Sequence, residues 1–330
     1  MRCVACTTSP SIRRPGPSRN VNPDEGPLPL DSYAFGRGLA YAAILTLVGV
    51  CVFGALIPRW RSPSDDDHSL PARALSRAWS VAGGAAALLV VAHLLRAYGQ
   101  VRSFLDPGEP LTWEVARPML TQTTWGAAWH LQLLLALVTL PLAWLGRRWP
   151  ALGLGALGTA TLGVVITAPL TGHAAEHPWG RQLGIGLHAV HLLGGGLWIG
   201  TLFTMTVAGL RPAPTGGDHV SVARMVATFS PVALTGATLA ITAGSLLAVA
   251  YVGDVSSLLN TRYGQTLLVK LTLLTLTLAL GAWNWRRLRP RLGEAPATRA
   301  LTRSATIELS LAALLIAATA VLVALPAPKI

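Results

Sequence analysis

Residues 183–208 read LGIGLHAVHLLGGGLWIGTLFTMTVA, a run without Asp, Glu, Lys or Arg whose only ionisable side chains are His188 and His191. An α-helix rises about 1.5 Å per residue, so about 20 such residues cross an apolar layer about 30 Å thick. Working outward, comparable runs recur at 33–58, 74–97, 125–145, 150–170, 224–252, 264–286 and 304–325. Backbone N–H and C=O groups in hydrocarbon must pair within their own segment, which leaves helices or closed barrels. None of the runs alternates with the period of two that a barrel strand requires. The sequence therefore predicts an all-α, polytopic transmembrane bundle of about eight spans.

Composition agrees. Of 330 residues 52% are hydrophobic and 12% charged, about half the charged share of a soluble domain. Gly83, Gly84, Gly194, Gly195, Gly196 and Gly200 are small residues at which helices can approach closely, a matter of packing rather than function.

The formal net charge of +12 raises the question of a nucleic-acid partner, and its distribution excludes one. The connections after the first, third, fifth and seventh runs carry Arg59, Arg61, Arg73, Arg77, Arg147, Arg148, Arg211, Arg224, Arg286, Arg287, Arg289, Arg291, Arg299 and Arg303. The alternate connections carry only Arg96, Arg102, Arg117, Arg181 and Arg262, while the amino-terminal segment adds five basic residues and the carboxyl end Lys329. By the positive-inside rule the richer side is cytoplasmic and both termini lie outside.

Residues 1–30 are rich in Pro and Arg and lack the apolar core of a signal peptide, so they read as a disordered outer tail. Cys3 and Cys6 within it can bind a metal, close a disulfide or be incidental thiols, and Cys51 in the first run reads as a small core residue. The chain divides into this tail, a segment 31–148 with three spans bearing His93 and His130, and a five-helix segment 149–330.

His68 and His219 fall in cytoplasmic loops beside acidic residues, as solvated surface groups do. The other six, His93, His130, His173, His177, His188 and His191, all fall at the outer ends of spans or in the loop between two of them. His188 and His191 are three residues apart and share a helical face, which Trp198 continues. Ionisable residues within a bundle mark functional sites by default, and imidazole suits copper, zinc, iron and nickel. An outer Met119 adds a soft ligand, and an imidazole ligand needs a partner for its second nitrogen, for which Glu176 and Gln122 are candidates that sequence alone does not assign. Lys270 and Glu308 are the remaining charged candidates for a pathway or gate, Lys270 either snorkelling to the outer surface or facing the bundle to control cation passage, while Met205 and Met225 read as core packing ahead of a Cu(I) relay. Nothing resembles a P-loop or a DKTG-like phosphorylation motif, so the chain reads as a non-enzyme.

These fragments carry a resemblance. TGHA (171–174), HAVHLLGGGLWIGTL (188–202), FSPVALTGATLAITAG (229–244), TRYGQTLLVKLTLL (261–274) and ATIELSLAALLIAATAVLVALPAP (305–328), in that order, resemble the copper resistance protein D family, most clearly from about residue 150 onward. The resemblance implies a copper transport protein of the bacterial inner membrane. It would take copper from a periplasmic CopC-like carrier through the outer histidines toward the cytoplasm. Some relatives carry that carrier fused to the chain; this sequence has no room for it, so a separate partner is expected. The alternative is a b-type cytochrome in which two of His93, His130, His188 and His191 ligate a haem near the outer surface.

Overall fold

The computed structural model describes residues 32–63, 65–106, 109–172, 174, 177–211 and 218–328. Eight helices long and apolar enough to cross a membrane make up the bundle. They are α1 (Ser32–Trp60), α2 (Leu70–Arg102), α3 (Thr124–Arg148), α4 (Pro150–Thr171), α5 (Arg181–Leu210), α6 (His219–Val252), α7 (Arg262–Arg291) and α8 (Ala295–Ala324). Among the described residues there is no strand. The helices outrun the apolar runs, because their end turns are polar and lie beyond the hydrocarbon: α8 starts at Ala295 rather than near 304, and α2 at Leu70 rather than 74. The amino-terminal tail, with Cys3 and Cys6, lies outside the described residues.

Sequence neighbours pair as α1/α2, α3/α4, α5/α6 and α7/α8, and α1 also touches α4, α5, α6 and α8. It is the central helix because its surface is small enough to permit this. A side-chain carbon on Gly49 would collide with the backbone of Gly200 in α5, and one on Gly200 with the carbonyl of Leu45. Gly194 meets α6 in the same way, at Gly236 and Ala240, whereas Gly84 faces open space and contributes no such contact. The α1–α5 crossing coincides with a π-helical turn, Gly196–Gly200. Large apolar side chains such as Leu134, Val269 and Leu314 are left on the outer surface, where lipid covers them.

Two short helices absent from the sequence reading, Trp113–Gln122 and Val255–Asn260, lie at one end of the bundle. The second of them, like α3, begins on a local hydrogen bond that period alone does not reveal. The Asp254 carboxylate accepts from Ser257 N–H at 2.8 Å, and the Thr123 hydroxyl accepts from Gly126 N–H at 2.9 Å to start α3. At the opposite, arginine-rich end Arg73 pairs with Asp218 at 2.7 Å, His68 is exposed, and His219 contacts the Thr298 hydroxyl at 3.2 Å.

Candidate metal centre

The histidine end is closed by the segment between α4 and α5. Gly180 takes φ of 102°, a left-handed conformation suited to glycine, and α5 begins directly after it. Gly184 lets this segment pack down, since a side-chain carbon there would strike the His177 side chain and the Ala174 carbonyl. The Gly184 carbonyl in turn accepts from His188 Nδ1 at 2.9 Å. One turn further on, His191 Nδ1 donates to the Ala240 carbonyl of α6 at 2.7 Å. Its ring lies over Gly244, where a side-chain carbon would come within 2.9 Å.

These two bonds have a chemical consequence. A carbonyl only accepts, so the proton of each ring sits on Nδ1 and the Nε2 lone pair is left without a hydrogen bond. A histidine metal ligand is oriented this way, with one nitrogen anchored to a backbone carbonyl and the other available. Both rings line a cavity of about 200 Å³ enclosed by α1, α4, α5, α6, α7 and α8. Its wall is mostly aliphatic, interrupted by Arg37, Tyr41, Tyr251 and Lys270, and its deepest lining residues include Trp198, Ile199, Leu274 and Ala312.

The other sequence candidates are distributed around this pair. His177 is buried; its Nδ1 accepts from the Trp179 backbone N–H at 3.1 Å, and its Nε2 has no partner. Its ring stands edge-on to Tyr251 at 5.2 Å, and Tyr251 reaches His188 at 5.9 Å, so one phenol separates the two imidazoles. Loss of water around His177 lowers its pKa below the usual 6.5. His93 is buried in α2 with Nδ1 beside Arg96 Nη1 at 3.3 Å. The guanidinium only donates, so His93 carries its proton on Nε2 and its lone pair is taken. His130 faces outward on α3, bonded to the Gly126 carbonyl at 2.8 Å. His173 and Glu176 lie outside the described residues. Among the described residues no three of His, Cys, Asp and Glu come together as a metal cluster. His188 and His191 project from one helical face, so they cannot grip a haem from its two sides.

Met119 belongs to the short helix Trp113–Gln122 and does not line the cavity; Gln122 is exposed. Met205 and Met225 are core residues. Lys270 lines the cavity wall. Glu308 is buried and accepts from Asn284 Nδ2 at 2.6 Å. Lys270 and Asn284 are separated by about 21 Å along α7 at 1.5 Å per residue, so Lys270 and Glu308 belong to different levels. Glu308 precedes Ala312 by one turn on α8 and so lies beneath the cavity floor.

Residues that the sequence reading passed over form a second polar group against the cavity. Arg37 lies inside the first apolar run and Arg96 near the end of the second, and both are buried within their helices. Arg96 donates to Gln132 Oε1 at 3.0 Å and to the Thr171 hydroxyl, while Arg37 donates to the Thr171 carbonyl at 2.9 Å. Gln132 Nε2 donates to the Thr167 carbonyl at 2.6 Å. The signal was available for Arg37: an arginine inside an apolar run is costly enough to imply a purpose.

Comparison with known proteins adds sequence relatives to this geometry. The family described as copper resistance protein D matches residues 223–322, and that described as copper resistance protein D-like, N-terminal domain, matches residues 29–182. His188 and His191 fall between the two matched ranges. The copper transport protein CutJ of Bacillus subtilis (strain 168) is 26% identical over 307 residues, covering 89% of this chain and 53% of that protein. The chain thus spans about half the length of the curated relative it matches. No solved structure matches.

Proposed function

The chain belongs to the copper resistance protein D family, and from that premise we propose that it carries copper across a bacterial inner membrane by way of His188 and His191. The observation that carries this reading is the pair of Nε2 lone pairs left free by the bonds to Gly184 and Ala240, on rings that line one cavity. Two soft-to-intermediate nitrogen ligands in a largely aliphatic cavity suit copper and disfavour hard, oxygen-seeking cations.

In this reading the histidine end faces the periplasm, both termini lie outside, and a CopC-like carrier delivers copper to the loop bearing His173 and His177. The ion then passes to His188 and His191, with Tyr251 between the two stations. Below them Lys270 gates cation passage by repulsion, Trp198 borders the deep end of the cavity, and Glu308 with Asn284 offers the next polar stop toward the cytoplasm. His93, His130 and Met119 do not line this cavity and serve, in this proposal, as supporting or accessory groups at the same surface.

Protonated imidazole cannot coordinate, so copper binding weakens as pH falls below about 6. The test is copper titration of the purified full chain against a chromophoric chelator, with uptake measured in the same variants. Full copper binding and uptake in both His188→Ala and His191→Ala would count against the site. A Soret band in the purified protein would replace the copper reading with the haem one.

A further inference from the structure

Arg37 and Arg96 are 5% and 3% exposed, and both guanidiniums lie against the Tyr33 ring, with Cζ at 5.2 and 5.9 Å from its centroid. Both also converge on Thr171, one at its carbonyl and one at its hydroxyl. The bonded partners are not carboxylates: Thr171, Gln132, His93, the Tyr33 phenol and the Val323 carbonyl. Among the described residues the ion pair Arg73–Asp218 is the only one, and it lies at the other end of the bundle. Arginine keeps its charge when buried, so two desolvated like charges stand side by side with no carboxylate among the described residues to balance them.

A small cavity of about 10 Å³ adjoins them; its polar lining is Arg37, Tyr41, His93, Arg96 and Gln132, and the rest of its wall is aliphatic. Arg96 Nε is buried without a hydrogen-bond partner. Arg37 and Tyr41 line this pocket and the histidine cavity alike, so the two share a wall.

We propose that the pocket between Arg37 and Arg96 binds a small monatomic anion of the chloride class. Water can accept hydrogen bonds from the two guanidiniums but leaves both charges unbalanced, and the volume excludes organic anions. A bound halide balances one charge and takes up donors the neutral partners leave unused. A consequence follows that rests on the copper reading: with Arg37 screened, a cation meets less repulsion at His188 and His191. The anion site itself does not depend on that reading.

The test uses the purified, copper-free full chain in detergent, with chloride replacing gluconate at constant ionic strength. The thermal midpoint is expected to rise and saturate with chloride and with bromide. Chlorine-35 NMR of the native protein is expected to show chloride linewidths that narrow when bromide competes, a readout that needs no variant. Arg96→Gln is expected to reduce the apparent chloride affinity at least tenfold. A midpoint indifferent to chloride, with no excess linewidth, overturns the proposal. Copper affinity measured with and without chloride then tests the linkage by itself: an unchanged affinity removes the linkage and leaves the anion site standing.

Discussion

The decisive atoms are ring nitrogens. His188 and His191 leave Nε2 free, while His93 spends its lone pair on Arg96 and His130 faces outward. Removing one imidazole of a two-nitrogen site is therefore expected to weaken copper binding at least about tenfold in His188→Ala or His191→Ala, and His130→Ala to leave it unchanged, as read by chelator competition. His177 titrates in a definite direction. Desolvation lowers its pKa below 6.5, so the unfolded chain takes up a proton that the folded chain resists as pH falls through that value. Folded-state stability contributed by neutral His177 is present above about 6.5 and declines below it, and thermal midpoints between about pH 7 and about pH 5 should fall less steeply in His177→Gln. The i, i+3 spacing of His188 and His191 was legible in the sequence. The tautomer of His191 was not, because the Ala240 carbonyl that orients it lies on another helix.

At the scale of elements, close helix contact rests on glycine backbones. A side chain at Gly200 meets the Leu45 carbonyl, which belongs to a helix rather than to a flexible side-chain end. Gly200→Val should therefore cost at least about 3 kcal/mol, the upper part of the usual overpacking range, and appear as loss of monodisperse protein in detergent. The Arg73–Asp218 pair joins α2 to the start of α6, but its side chains are 35% and 18% exposed. Solvent screening limits it to about 1 kcal/mol or less, so Asp218→Asn should shift the thermal midpoint little. Glycines were visible as a class in the sequence. Which of them form contacts was not: Gly200 and Gly194 touch neighbouring backbones and Gly84 touches nothing.

For the whole molecule, the two ends differ in charge and chemistry, and the proposed orientation follows from that difference. In a chain whose own three cysteines are replaced by serine, a membrane-impermeant maleimide added to intact spheroplasts is expected to label Glu109→Cys and not Asp67→Cys. The reverse pattern would invert the bundle and remove the periplasmic delivery step. Eight spans and a histidine-rich end were both legible, since each depends on run length and on the alternation of connections. The convergence of Arg37 and Arg96 was not: Arg37 stands out inside an apolar run, but Arg96 lies near a span end and reads as a loop charge, and only the packing of α1 on α2 brings the two to Thr171.

The sequence by itself determined the class of protein, the number of crossings and the gathering of imidazoles at one end. Those properties are one-dimensional: lipid demands that each segment satisfy its own backbone, so the length of an apolar run is sufficient to identify a span. Only the tertiary structure decided that His188 and His191 share a cavity, that Tyr251 stands between them and His177, and that Arg37 and Arg96 close on Thr171. Those relations depend on the rotation and approach of each helix, which are set by contacts such as Gly49 with Gly200 and Gly184 with His177 between residues distant in the chain or on different elements.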